Sequence, residues 1–119
     1  MKICITSQGE ERTSNIDPRF GRAAFFCFYD TESGDYSFEA NGFAAGVGGV
    51  GVQTSQYMAE KEVQAVLTGQ VGPNAFKTLN AAGIEVYPNA DGTVEAAVQA
   101  FLKGEYDTTS GPTGPARHS

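Results

Sequence analysis

Arg12, Arg19 and Arg22 fall within one eleven-residue stretch, Arg12-Thr13-Ser14-Asn15-Ile16-Asp17-Pro18-Arg19-Phe20-Gly21-Arg22. A guanidinium stays charged, presents a planar fork of donors and desolvates more readily than an ammonium, so three of them among hydroxyl and amide donors suit a polyanion. The plainer alternative is a solvated loop in which Arg19 or Arg22 pairs with Asp17, and surface pairs of that kind often contribute little.

A second candidate is Gly46-Val47-Gly48-Gly49-Val50-Gly51, which formally satisfies the G-x-G-x-x-G pattern of dinucleotide sites. That pattern requires a tight strand-to-helix turn in a parallel βαβ unit and an acidic residue some twenty positions on. Here the preceding strand belongs to a hairpin, and residues 66–71 hold no carboxylate. Nicotinamide and flavin binding are therefore disfavoured. A glycine loop feeding a helix still offers free backbone N–H groups and a positive dipole end to an anion, unless its glycines serve only close packing. The third segment, Thr68-Gly69-Gln70-Val71-Gly72-Pro73-Asn74, is another glycine-flanked helix start, or else a plain strand-to-helix turn. The candidate cofactor-binding set is accordingly Arg12, Thr13, Ser14, Asn15, Arg19, Phe20, Gly21 and Arg22, with Gly46, Gly48, Gly49 and Gly51, and with Gly72 and Asn74.

Catalytic chemistry finds little to work with. The single histidine, His118, lies near the C-terminus, so the body offers no Ser/His or Cys/His pair. Cys4 and Cys27 sit in the apolar runs KICI and FFCFY, where a thiol behaves as a small buried hydrophobe, and their spacing matches no zinc pattern. No catalytic residue and no metal ligand is assigned. A formal net charge of -6 argues against nucleic-acid binding, which relies on a basic patch. No apolar run approaches the ~20 residues that cross a bilayer, and the first residues lack the order of a signal peptide. The expected location is the cytoplasm.

The elements that must position these residues follow from periodicity. Residues 2–7, 24–30 and 35–40 read as strands, the last two joined by a hairpin turn at Thr31-Glu32-Ser33-Gly34. A helix is expected over 52–61, a strand over 63–67, a helix from Pro73 stopped by Gly83, a strand over 84–87, and a last helix capped by Thr93 and ending at Lys103-Gly104. A meander followed by right-handed crossovers predicts a five-stranded mixed α/β sheet in the order 3-2-1-4-5, with only strand 2 antiparallel and helices on both faces. All three candidate loops then meet at the carboxyl edge, where open α/β sheets bind ligands. Residues 1–106 are expected to form one cofactor-binding domain and 107–119 a flexible C-terminal tail.

The run IDPRFGRAAFFCFYD, the glycine loop and AVLTGQVGPNAFKTLNAAGIEVY together resemble the dinitrogenase iron-molybdenum cofactor biosynthesis family, over nearly all the chain to about Lys103. The resemblance implies a ribonuclease-H-like fold and a non-catalytic binding or carrier role. Nitrogenase-associated members tend to carry histidine in a D-x-H-F-G motif where this chain has Arg19, so the resemblance is to the stand-alone branch. It implies a non-covalently held molybdenum-copper sulfide cluster or iron-molybdenum cofactor precursor, with a recipient or scaffold protein as partner. The competing expectations are a regulatory or scaffolding protein that binds an acidic partner segment and, behind it, a metal-dependent hydrolase. Two-metal hydrolysis would need carboxylates at the ends of strands 1 and 4, which read Ile5-Thr6-Ser7 and Leu67-Thr68-Gly69.

Overall fold

Near-continuous apolar runs, buried on both faces, build the centre of the sheet. In the computed structural model, which describes residues 1–46, 48–109 and 111, β1 (Lys2–Ser7) is flanked by β2 (Phe25–Asp30) and β4 (Ala65–Leu67). The outer positions are taken by β3 (Tyr36–Ala40) beyond β2 and β5 (Glu85–Tyr87) beyond β4, giving the order β3-β2-β1-β4-β5. Both pairings of β2 are antiparallel, whereas β1 with β4 and β4 with β5 are parallel. The expected sheet order and strand directions are thus observed.

Helices α1 (Val50–Glu60), α2 (Pro73–Ala81) and α3 (Val94–Leu102) cover the sheet. Because side chains alternate along a strand, Cys4 and Val66 join Met58 and Leu79 in one cluster under α1 and α2. Ile3, Ile5 and Leu67 join Val94, Ala97 and Val98 in the other, under α3. Each fully buried aliphatic side chain contributes about 1.5–3 kcal/mol relative to exposure. Both faces carry helices, as expected.

Local boundaries differ by a residue or two. Helix α1 begins at Val50 rather than 52, directly after Gly48 and Gly49, whose φ angles of 78° and 67° suit glycine. Pro73 opens α2, and Gly83 at φ 76° lies just past its Ala82 C-cap. The Thr93 hydroxyl caps α3 by accepting from the Ala96 N–H at 3.1 Å. After α3, Tyr106 packs against the second cluster and the Thr109 N–H donates to the Val86 carbonyl at 3.0 Å. The rest of the expected tail, residues 110 and 112–119 with His118, lies outside the described residues. Among the described residues no helix is long and apolar enough to cross a membrane.

Candidate functional site

The loop between β1 and β2 is anchored at its midpoint by a buried polar ladder. The Thr6 hydroxyl donates to the Asp17 carbonyl at 2.7 Å and shares a hydrogen bond with the Thr68 hydroxyl at 2.8 Å. The next residue, Pro18, presses on Gly69 so closely that a Cβ there would lie 2.7 Å from its Cα and carbonyl oxygen. Arg19 then bridges to Gln70 in parallel fashion, with Gln70 N–H donating to Pro18 O at 2.8 Å. These contacts bind the second half of the loop to the turn after β4.

That placement completes a cavity of about 510 Å³, lined by Arg19, Phe20, Gly21, Arg22, Gly48, Gly49, Val50, Gly51, Gln70, Gly72, Pro73, Asn74 and Ala75. Its three walls are the residues preceding β2, the start of α1 and the start of α2. Close approach of small residues makes the convergence possible: a Cβ on Gly51 would meet the Ala75 Cβ at 3.1 Å, and one on Gly21 would meet Gly51 Cα at 3.2 Å. Packing of α1 thus explains Gly51, although the partner is α2 rather than the sheet.

Two helix N-termini open into this space without side-chain caps, because their N-cap residues, Gly49 and Gly72, have no side chain to supply one. Helix α3 is the contrast. Its first turn is satisfied by the Thr93 hydroxyl and by the Ser14 and Arg12 carbonyls, which accept from Val94 and Glu95 N–H, both at 2.9 Å. Uncapped first-turn N–H groups together with the positive dipole end favour an anion at α1 and α2.

Of the candidate residues, Arg19, Phe20, Gly21, Arg22, Gly48, Gly49, Gly51, Gly72 and Asn74 come together in the cavity. Arg12, Thr13, Ser14, Asn15 and Gly46 are not among its lining. The first half of the loop runs to α3 instead: Asn15 bridges to Thr93, and Ile16 N–H donates to Gly92 O at 2.9 Å. Arg12 lies 3.7 Å from the Glu95 carboxylate and over the Tyr36 ring, 5.1 Å from its centroid. Gly46 spends its N–H on the Phe43 carbonyl at 2.9 Å. Phe20, only 2% exposed, belongs to the core and forms the cavity's apolar wall.

The two cavity arginines differ. Arg22 is exposed and donates through Nη1 to the Ala44 carbonyl at 2.7 Å. Arg19 sets Nε and Nη2 on the two oxygens of Asp17 at 3.1 and 3.2 Å, so the pairing weighed from sequence does form. Asp17 itself is 2% exposed and also accepts from the Arg19 and Ala24 backbone N–H groups at 3.0 and 3.1 Å. Burial raises its pKa, but the hydrogen bonds and charge of Arg19 and the Ala24 N–H outweigh that and hold it below the ordinary carboxylate value. Asn41 is a second organiser, donating to Gly21 O and Ala23 O at 3.0 and 2.9 Å.

No group of three His, Cys, Asp or Glu side chains that could hold a metal ion occurs among the described residues, and both cysteines are free and buried away from the cavity lining. The donor set of the cavity fits an anion held by charge and N–H bonds.

The sheet topology and the cationic, donor-rich cleft together define a small α/β domain with chemistry receptive to anions. The chain belongs to the dinitrogenase iron-molybdenum cofactor family, whose model matches residues 1–104. Its structure is similar to that of the apo form of the orange protein from Desulfovibrio gigas, with a TM-score of 0.91, 37% identity, and coverage of 95% of this chain and 96% of that one. A NifB-like protein from Thermotoga gives a TM-score of 0.81 at 36% identity, covering 96% and 97% of the two chains. An uncharacterized protein of Methanocaldococcus jannaschii is 26% identical over 97 residues, or 79% of this chain and 82% of the relative.

Proposed function

We propose that this protein is a non-catalytic carrier of an anionic metal-sulfide cluster, of the molybdenum-copper or iron-molybdenum type, received in the cleft at the carboxyl edge of the sheet. The observation that carries the reading is the convergence of Arg19, Arg22 and two uncapped helix N-termini on one cavity of about 510 Å³, a volume ordinary for a ligand site. A cluster of this kind brings its own sulfide ligands, so the protein has to supply only counter-charge, N–H donors and an apolar wall. Those are the groups present. Family membership and the likeness to the orange protein support the same reading, and to a ribonuclease-H-like classification the meander-then-crossover order adds support.

In this reading the cluster is cargo, residues 1–106 form the binding unit, 107–119 are a tail, and a recipient or scaffold protein takes the cluster up. Two free buried thiols accord with a reducing cytoplasm.

Anaerobic reconstitution of the purified protein with thiomolybdate and copper, followed by desalting, tests it. A retained visible chromophore is the expected result. Each charge-assisted contact contributes roughly 1.5–3 kcal/mol, so Arg19→Ala with Arg22→Ala should cost about a hundredfold or more in affinity. Retention of the chromophore by that folded double variant, with loss in a folded Cys4→Ser or Cys27→Ser variant, would mean thiolate ligation and an incorrect site. Failure of the wild type to retain colour, with capture of an acidic peptide at the same arginines, would favour the scaffolding alternative.

A further inference from the structure

Arg19 reaches the cavity from an exposed position, its side chain 63% accessible, yet its guanidinium is gripped by a carboxylate that is 2% accessible. A free arginine on such a lip samples many rotamers, and an anion that engages it must bear the loss of that freedom. Here Nε and Nη2 are already fixed by Asp17, which leaves Nη1 as the nitrogen not committed to the carboxylate. The carboxylate cannot follow solvent or swing away, because the Arg19 and Ala24 N–H groups hold it from behind. Its backbone is pinned in turn, the carbonyl accepting from Thr6 Oγ1 and the N–H donating to Thr6 O at 2.9 Å. A chain of fixed groups therefore runs from the end of β1 through Asp17 to the guanidinium.

We infer that Asp17 is a positioning residue for anion binding, acting through Arg19: it gives up part of the local positive charge in exchange for a guanidinium held in binding geometry before the anion arrives. The inference rests on the reading of the cleft as an anion site. Electrostatics alone predicts the opposite behaviour, since removing Asp17's charge would raise the cavity from one net positive charge to two and tighten binding. Pre-organisation predicts that the loss of the fork outweighs the gain in charge. Arg22, with one donor on a carbonyl and no carboxylate partner among the described residues, supplies the uncompensated charge.

The test has two arms on the full chain. Without ligand, nitrogen relaxation of the arginine Nε–H groups should show Arg19 ordered and Arg22 mobile in the wild type, with Arg19 becoming mobile in Asp17→Asn. An Arg19 already as mobile as Arg22 in the wild type would overturn the role. In the second arm, tetrathiomolybdate is titrated into wild type, Asp17→Asn, Arg19→Ala and the double variant, each checked for cooperative unfolding. Asp17→Asn should weaken binding roughly three- to tenfold, yet show a steeper salt dependence because the site is more positive. In the Arg19→Ala background, where no fork is left to lose, the same substitution should leave only the gain in charge and so should not weaken binding. Unchanged or tighter binding by Asp17→Asn overturns the role alone, as does an equal loss in both backgrounds, which would mean the loop is disturbed without involving Arg19. No binding by the wild type overturns the proposed function and this role with it. Should Asp17→Asn not fold, Arg19→Lys provides the equivalent variant: it keeps the charge and loses the fork, and wild-type affinity in that variant overturns the role.

Discussion

Cys4 packs with Phe26, Phe28 and Met58 on one face of the sheet, while Cys27 lies with Ile5 and Tyr29 on the other, so the two thiols cannot meet across β1 and β2. Burial pushes the Cys4 thiol well above its ordinary pKa, with Cys27 and Glu39 adding to the effect, and pushes Cys27 up to about 12. Both shifts keep the thiols protonated at neutral pH in the folded chain, which disfavours attack on an added reagent. An alkylating reagent should therefore leave both unlabelled in native protein and label both in denaturant. Serine at either position places a hydroxyl among apolar neighbours and should lower stability by about 1–3 kcal/mol in urea unfolding. Rapid native labelling of one thiol would show that its strand opens locally. The apolar runs around these residues were enough to foresee their burial. Asp17 was harder, because a carboxylate two residues from an arginine reads as a surface pair; what distinguishes it is that Thr6 and Ala24, which carry no local signal for this role, converge on it together with Arg19.

Strands and helices announce themselves through local chemistry, which is why their order and direction were legible: the aromatic run FFCFYD reads as a strand, Pro73 opens a helix, and Thr93 caps one. The loop joining β1 to β2 carries no such signal. Its first half docks on α3 and its second on the turn after β4, so Arg12 and Arg19 diverge although they belong to one arginine-rich run. Spacing along a loop says nothing about which face each half will take. Val50 and Ala75, which line the cleft beside the glycines, have no chemical signature at all. Two substitutions separate local from non-local control. Thr93→Ala removes one cap from α3 and should cost about 1 kcal/mol, with thiomolybdate binding unchanged. Gly69→Ala, whose Cβ would lie 2.7 Å from Pro18 backbone atoms, should cost about 1–3 kcal/mol and also weaken binding, since Pro18 must shift and Arg19 with it. Equal affinities for the two variants would show that the loop's close approach to Gly69 does not set the cleft.

Across the whole molecule a net charge of -6 surrounds a cleft that presents Arg19 and Arg22. Acid acts on the fold through carboxylates. Asp17 is held low by its hydrogen bonds despite burial; Glu39 is held low chiefly by the Tyr57 hydroxyl and by Lys61, and Asp30 by the Glu32 and Ser33 N–H groups. A carboxylate with a lower pKa in the folded chain than in the unfolded one stabilises the fold at pH values above its unfolded value. That contribution disappears as pH falls through the folded value. With ordinary values of 3.8 for aspartate and 4.5 for glutamate, the urea midpoint should be steady from pH 7 to 5 and fall below about pH 4.5. Asp17→Asn should start lower at pH 7 and decline less, because one linked proton has been removed. Protonation also leaves the eight lysines and arginines unopposed, adding self-repulsion to the same fall. A midpoint that holds steady to pH 3 in the wild type would mean that these three carboxylates are no better solvated by the fold than by water, and that Asp17 does not anchor the loop it touches.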